Sequence, residues 1–290
     1  MGEFTRSHFY KLIAPFGLLC IIAPTAFGAE PHGEEIGRET IAADDFEKGG
    51  VLDQFSMNYY GVFYGPSIQD PSTFQPNSSG VIDHTLPLLV RNYMSLSYSV
   101  SKVIAVSATA PWVWKPVQNQ ELQAKDPYFR LADNELFSTD QFNLYGDARF
   151  HAPVTTESRN SDLLAGLQTF FIASYQVPGS RLTWASYFSA RYNIFGSQGT
   201  GSDTVLYAGP NLAYQLTPSV SLTTLYEMGA SHVYKDKIFA LNNDGTDLEP
   251  GIKWDINKSV SVNPYLNFFT GNKVSLTSTS IGMTMSWQLL

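Results

Sequence analysis

Nine ionisable residues sit at alternate positions in runs that are otherwise apolar, small or neutral: Arg91, Asp147, Arg149, His151, Arg191, Glu227, Glu249, Lys253 and Asp255. Two residues is the side-chain repeat of a β-strand. Each of these groups therefore shares one face with polar neighbours, while the residues between them take the other face. Charges of both signs on one face can line a water-filled passage and select what enters it. They can also pair across a narrow interior and hold it shut. A conducting interior is the expectation, and a plugged one is the alternative.

Catalysis asks for more than charge. A nucleophile needs a base within hydrogen-bond reach, and the base needs a group to orient it. His232 falls on the apolar register near the end of its run, where a Ser–His pair at a lipid rim would sit. Thr204, Leu206 and Leu248 are expected at its height, and no serine, Asn or Asp is placed to complete the pair. An interfacial histidine is the expectation, with a rim lipid hydrolase as the alternative. His84 falls in a loop and His151 on the polar register, neither at metal-ligand spacing with a carboxylate cluster. The run Asp244-Gly245-Thr246-Asp247 has part of a calcium-loop pattern but lacks the remaining ligands, so it reads as a hairpin loop. The sequence thus predicts no enzyme, no metal and no cofactor.

The elements that position these residues are short and regular. Alternation and turn chemistry predict strands over 53–64, 88–100, 103–114, 142–153, 162–175, 181–195, 204–216, 220–234, 247–256, 260–269 and 277–289. The apolar faces alternate throughout: Phe55, Met57, Tyr59 and Phe63 in the first, Val90, Met94, Leu96, Tyr98 and Val100 in the second. Ile104, Val106, Ala108, Ala110, Trp112 and Trp114 follow in the third. Tight turns at 257–259, 217–219, 178–180 and 99–102 must share one end of the molecule. Eleven strands cannot satisfy that parity. A twelfth is expected within 117–136, with ten strands as the alternative. The long segments 65–87, part of 115–141, 154–161, 196–203, 235–246 and 270–276 then form loops at the other end. The loop 65–87 is expected over the mouth or inside it. Pro111, Pro153, Pro210, Pro250 and Pro264 each lack a ladder donor, so some of them are expected at bulges or strand ends.

An antiparallel transmembrane β-barrel with a polar lumen is the fold class that fits, spanning 51–290. All five tryptophans, Trp112, Trp114, Trp184, Trp254 and Trp287, fall on the apolar register near strand ends, where indole girdles meet the edges of a bilayer. Arg6 and Lys11 precede an apolar stretch from Leu12 to Phe27 broken by Pro15 and Pro24, and Ala26 and Gly28 have signal-peptidase spacing. A signal peptide over 1–28 is expected, then an acidic periplasmic leader over 29–50. The lone Cys20 lies inside the signal peptide, so the mature chain has no disulfide. The lipoprotein alternative needs a small residue where Leu19 stands. The formal net charge of -8 argues against a nucleic-acid partner. The mean hydropathy of -0.11 suits a barrel, because half of each strand meets water.

Two resemblances follow from particular residues. In the last strand Ile281, Met283, Met285, Trp287 and Leu289 alternate with Ser278, Ser280, Gly282, Thr284, Ser286 and Gln288. Ser280, Gly282, Met285 and Trp287 resemble the C-terminal signal of bacterial outer-membrane barrels, although those end on an aromatic and this chain ends on Leu289 and Leu290. That implies a Gram-negative outer membrane, contact with lipid and lipopolysaccharide, and engagement of the barrel-assembly machinery. The stretch from Ser97 to Lys102, the run Ala110-Pro111-Trp112 and the pair Gly146-Asp147 resemble the transporter barrels named for the MetA pathway of phenol degradation. That resemblance implies passage of small aromatic or hydrophobic solutes, with Asp147 and Pro111 as the positions carried over. Passive, porin-like passage of small solutes is the functional expectation. A non-conducting barrel acting through its outer loops is an alternative.

Overall fold

In the computed structural model the described residues are 54–69, 71, 74–76, 82–117, 120–236, 241–269 and 275–290. The expected signal peptide and acidic leader lie outside them. The strands are β1 (Phe55–Ser67), β2 (Phe74–Pro76), β3 (Ile82–Pro87), β4 (Leu89–Ser99), β5 (Ile104–Lys115), β6 (Glu121–Ala124), β7 (Tyr128–Ser138) and β8 (Phe142–His151). After helix α1 (Thr156–Asn160) come β9 (Leu163–Gln176), β10 (Leu182–Phe195), β11 (Ser202–Thr217), β12 (Val220–Val233), β13 (Asn242–Asp255), β14 (Val260–Phe269) and β15 (Thr279–Gln288).

Twelve of these strands close into one antiparallel ring in the order β1, β4, β5, β7, β8, β9, β10, β11, β12, β13, β14, β15, with β15 pairing back on β1. The expected twelfth strand is β7, which runs two residues past its predicted window. Short β6 precedes it and continues the ladder along the outer end of β5. Two expectations need correction. The segment 65–87 carries a small β2–β3 hairpin rather than irregular loop. The run 244–247 is not a hairpin loop: β13 begins at Asn242 and takes it into the ladder, where Gly245 pairs with Gly229 and Asp247 with Glu227.

All the tight turns lie at one end, and each has a side chain that closes it. Ser101 Oγ accepts from the amides of Val103 and Ile104 at 3.3 and 3.0 Å. Asn257 Oδ1 accepts from Ser259 and Val260 at 2.8 and 2.9 Å. Ser180 Oγ accepts from Leu182 at 3.1 Å, and Gly179 beside it takes φ +67° in open space. A fifth turn, at 139–141, is closed by Thr139 Oγ1 accepting from Phe142 at 3.1 Å. It escaped the sequence reading because the strand entering it was hidden.

The prolines sit where the ladder is interrupted on one side. Pro210, Pro250 and Pro264 lie inside strands rather than at bulges or ends: the β11–β12 pairing skips from Ala208↔Met228 to Asn211↔Leu225, and the β13–β14 pairing from Leu248↔Phe268 to Gly251↔Tyr265 and on to Trp254↔Val262, each time without a change of register. A residue with no N–H costs nothing where no acceptor waits for it.

The two faces differ sharply. Outward positions carry Leu96, Val106, Phe129, Leu131, Phe150, Leu167, Tyr192, Leu222, Ile252 and Ile281, all exposed, together with half-exposed Trp114, Trp184, Trp254 and Trp287. In water such a belt would be an aggregation surface; a bilayer is the solvent that matches it. Trp112 shares this register and packs on Tyr59, with ring centroids 6.3 Å apart. Beneath them lies outward-facing Asn92, which accepts from the Tyr59 hydroxyl at 2.7 Å and donates to Val90 O at 2.9 Å. No helix among the described residues is long and apolar enough to cross a membrane.

At Gly209 the β11 backbone runs so close to β12 that an added Cβ would overlap the Tyr226 carbonyl oxygen. Gly209→Ala is expected to cost about 1–3 kcal/mol through forced separation of the strands. Urea unfolding of the refolded barrel, read from the gel mobility of unheated samples, measures it. Unchanged stability would mean that the strands can part there freely.

Candidate functional site

Inward positions build the site. On one half of the ring Arg91 (β4), Arg130 (β7), Arg149 (β8) and Arg191 (β10) face the lumen. Arg149 and Asp147 are 7% and 5% exposed. Arg149 Nε donates to Asp147 Oδ1 at 2.8 Å and Nη2 to Oδ2 at 3.1 Å, and the Tyr145 hydroxyl donates to Oδ2 at 2.7 Å. Residues two apart on a strand share a face, so this fork forms within one strand. The guanidinium also stacks over Phe170 and Tyr128, 5.1 and 5.5 Å from the ring centroids. Arg130 pairs directly across from Arg149 and donates to Ser107 Oγ at 3.0 Å. Arg191 donates to Asn193 Oδ1 at 2.9 Å, and Arg91 lies over the Tyr64 ring at 5.0 Å. His151 is buried and shares a hydrogen bond with Gln168 Oε1 at 2.8 Å, and Gln168 donates on to Ser189 at 2.9 Å. It belongs to a polar chain along the wall.

The other half is acidic. Glu227 (β12), Asp247 and Glu249 (β13) point inward, and Asp247 pairs with Glu227 in the ladder. The Tyr187 hydroxyl donates to Glu227 Oε2. Asn267 (β14) donates to Asp247 Oδ2 and to Glu249 Oε1, both at 3.0 Å. Lys253 lies nearer the turn end of β13 and meets Asp255 at 2.9 Å, so that pair neutralises itself. Sequence reasoning missed Arg130, whose strand was hidden, and Asp247, which stood at the first position of the predicted strand 247–256 and also in the run read as a hairpin loop. Carrying the inward alternation back from Glu249 by two residues would have found Asp247.

The lumen is not purely polar. Phe170, Ile172, Tyr187 and Tyr207 form a buried inward cluster, joined by Tyr145, Val205 and Leu225. Phe170 and Tyr187 stack with centroids 6.1 Å apart. These rings fill part of the interior midway along β9 to β11 and narrow it.

At the loop end His232 is on the outward register but buried, and its Nδ1 lies 2.7 Å from Asp203 Oδ1. This corrects the expectation that no carboxylate orients it: Asp203 sits in a bulge opposite, between Ser202 and Thr204. A bulge shifts the register by one, which hid the pairing from the sequence. Asp126, between β6 and β7, anchors the loop after β8. It accepts from the amides of Val154 and Thr155, both at 3.0 Å, and from the Ser158 hydroxyl of α1. Burial pushes its carboxyl up, but these hydrogen bonds outweigh that and hold it below the ordinary aspartate value. The side chain of His84 lies outside the described residues.

No family model and no curated protein matches the chain. Among solved structures it resembles the COG4313 outer membrane channel from Pseudomonas putida F1, with a TM-score of 0.52 at 10% identity over 84% of this chain and 98% of that one. It also resembles the KdgM porin in complex with disordered oligogalacturonate, with a TM-score of 0.44 at 8% identity over 80% and 98%. A third is the TodX deltaS2S3 mutant monoaromatic hydrocarbon channel, with a TM-score of 0.43 at 10% identity over 85% and 92%. The first of these likenesses shows the fold: the chain has that of an outer-membrane channel barrel, and the outer-membrane resemblance read from its last strand holds at that level.

Arg149→Ala leaves the Asp147 carboxylate buried without its cation and is expected to destabilise the barrel by about 3–5 kcal/mol. The double change Asp147→Ala and Arg149→Ala should cost clearly less, as urea unfolding of the two variants will show. At Asp126 the depressed pKa contributes stability above the unfolded value, near about 3.9, and that stability is lost as pH falls through the folded value. Protection of the Val154 and Thr155 amides, corrected for intrinsic exchange, should hold down to about pH 4 and fall on further acidification. Asp126→Asn should lower it at neutral pH.

Proposed function

We propose that this chain is an integral outer-membrane channel for the passive passage of small solutes. The observation that carries this reading is the segregation of charge around the lumen. Arg91, Arg130 and Arg191 lie on β4, β7 and β10, beside the matched Arg149–Asp147 pair of β8, and Glu227, Asp247 and Glu249 lie on β12 and β13. β7 and β13 are six strands apart in a ring of twelve and so diametrically opposed. Opposed walls of unlike charge, set in low-dielectric surroundings, create a field across the passage rather than along it. Such a field orients a dipolar solute and lowers the cost of removing its water. The aromatic cluster beside the arginines adds an apolar surface to the interior. Small solutes with a polar group and an apolar body fit both features, and the MetA-pathway resemblance and the channel fold support the same class.

In this reading the signal peptide directs export, the last strand engages the assembly machinery, and the tryptophan-edged belt meets lipid and lipopolysaccharide. Single-channel recording of the refolded barrel in a planar bilayer at two salt concentrations tests it. Steady conductance is expected. Arg191→Gln should shift the reversal potential toward cation preference, and Glu249→Gln should shift it the other way. A correctly folded barrel that stays silent would overturn the channel reading.

A further inference from the structure

β13 sends Asp247 and Glu249 to the same inward face, two residues apart, and antiparallel β14 brings Asn267 beside them. The Asn267 amide spends its donors on both carboxylates. Asp247 is 8% exposed and Asn267 is 4% exposed. The second oxygen of Asp247, Oδ1, and the carbonyl oxygen of Asn267, Oδ1, are enclosed with no hydrogen-bond partner. Among the described residues neither carboxylate meets a lysine, an arginine or a histidine. Two carboxyl groups held side by side, with enclosed acceptors unmatched, form an arrangement that burial penalises unless a proton or a positive group joins it.

We propose that Asp247, Glu249 and Asn267 form a binding station for the primary ammonium group of a permeating organic cation. An ammonium head carries three N–H donors and no acceptor. The station offers three acceptors: Asp247 Oδ1, Asn267 Oδ1 and the Glu249 oxygen not engaged by Asn267. The orientation of Asn267 is the telling detail, because its carbonyl oxygen is left for a donor that comes from elsewhere. Glu227 adjoins the station with its own oxygen engaged by Tyr187, and it adds negative potential without competing for the ligand. A divalent metal is the poorer fit. No group of three or more His, Cys, Asp or Glu among the described residues converges for one.

The station deepens the channel reading by naming a solute class, and binding can be tested apart from conductance. Isothermal titration of the refolded barrel in detergent micelles would use butylammonium chloride, tetramethylammonium chloride and potassium chloride. Butylammonium should bind saturably. Tetramethylammonium, which has charge but no donor, should bind at least about tenfold more weakly, and so should potassium. Asp247→Asn with Glu249→Gln should weaken butylammonium by about tenfold or more while the barrel keeps its folded gel mobility. If that double variant does not fold, Glu249→Gln alone carries the comparison. Equal binding of the three cations, unchanged binding by the variant, or no saturable binding would overturn the station. A barrel that conducts without binding butylammonium loses the station and keeps the channel. One that binds but never conducts keeps the station and loses the channel.

Discussion

A backbone surrounded by hydrocarbon has no water to satisfy its N–H and C=O groups, so every rung of its ladder must find a partner within the protein. The closure of β15 on β1 meets that demand. Without it both strands would be open edges in lipid. The seam runs from Asn58↔Gln288 to Ser67↔Ser280, and the last two residues are pinned beyond it, with Leu289 and Leu290 both donating to Met57 O, at 2.7 and 3.3 Å. The same demand explains the placement of the prolines. Three gaps in the ladder are filled by a residue that has no donor to waste: Pro210, Pro250 and Pro264 each fall where the rungs are skipped on one side.

Closure fixes two environments and leaves the interior to be filled. With twelve strands the interior lies between one that side chains fill and one that stays an open channel. Here side chains fill it unevenly. Aromatic rings from β8 to β11 occupy one side, and Arg149 is held in a cage of Asp147, Tyr128 and Phe170. A charge held that firmly, by a fork on one strand and rings on its neighbours, sets a fixed potential rather than a mobile one. The acidic wall is lined by rings as well, with buried Tyr187 bonded to Glu227 and buried Tyr265 two residues before Asn267 on β14.

Much of this was legible in the sequence because period two is an unambiguous signal in long strands. The faces of β4, β5, β10, β12 and β15 could be read from alternation alone, and the parity of tight turns demanded the twelfth strand before it was located. β7 resisted because its own pattern is broken: the register shifts between Asp133 and Phe137, and Asp126 and Pro127 interrupt the ladder that β6 begins. Asp203 resisted for the same reason, since a bulge removes the parity that would have placed it opposite His232. Asp247 was lost to a turn-like composition, Asn242 to Gly245, which the pairing of β12 overrides. The aromatic cluster could not be read at all. Inward Phe170, Tyr187 and Tyr207 look like any polar-face exceptions until the ring closes and brings them together.

Contacts two residues apart on one strand show how this lumen treats its charges. Asp147 neutralises Arg149, Asp255 neutralises Lys253, and Asn193 engages Arg191, each across the same i to i+2 step. A plugged barrel held shut by an ion-pair network would repeat that arrangement on every wall, because each unpaired group would weaken the plug. Asp247 and Glu249 depart from it with two charges of one sign across the same step, bridged by an amide that cannot neutralise them. A wall that departs from the pairing these neighbours keep is where stability has been given up for something else, and in this barrel Asp247 and Glu249 stand on that wall.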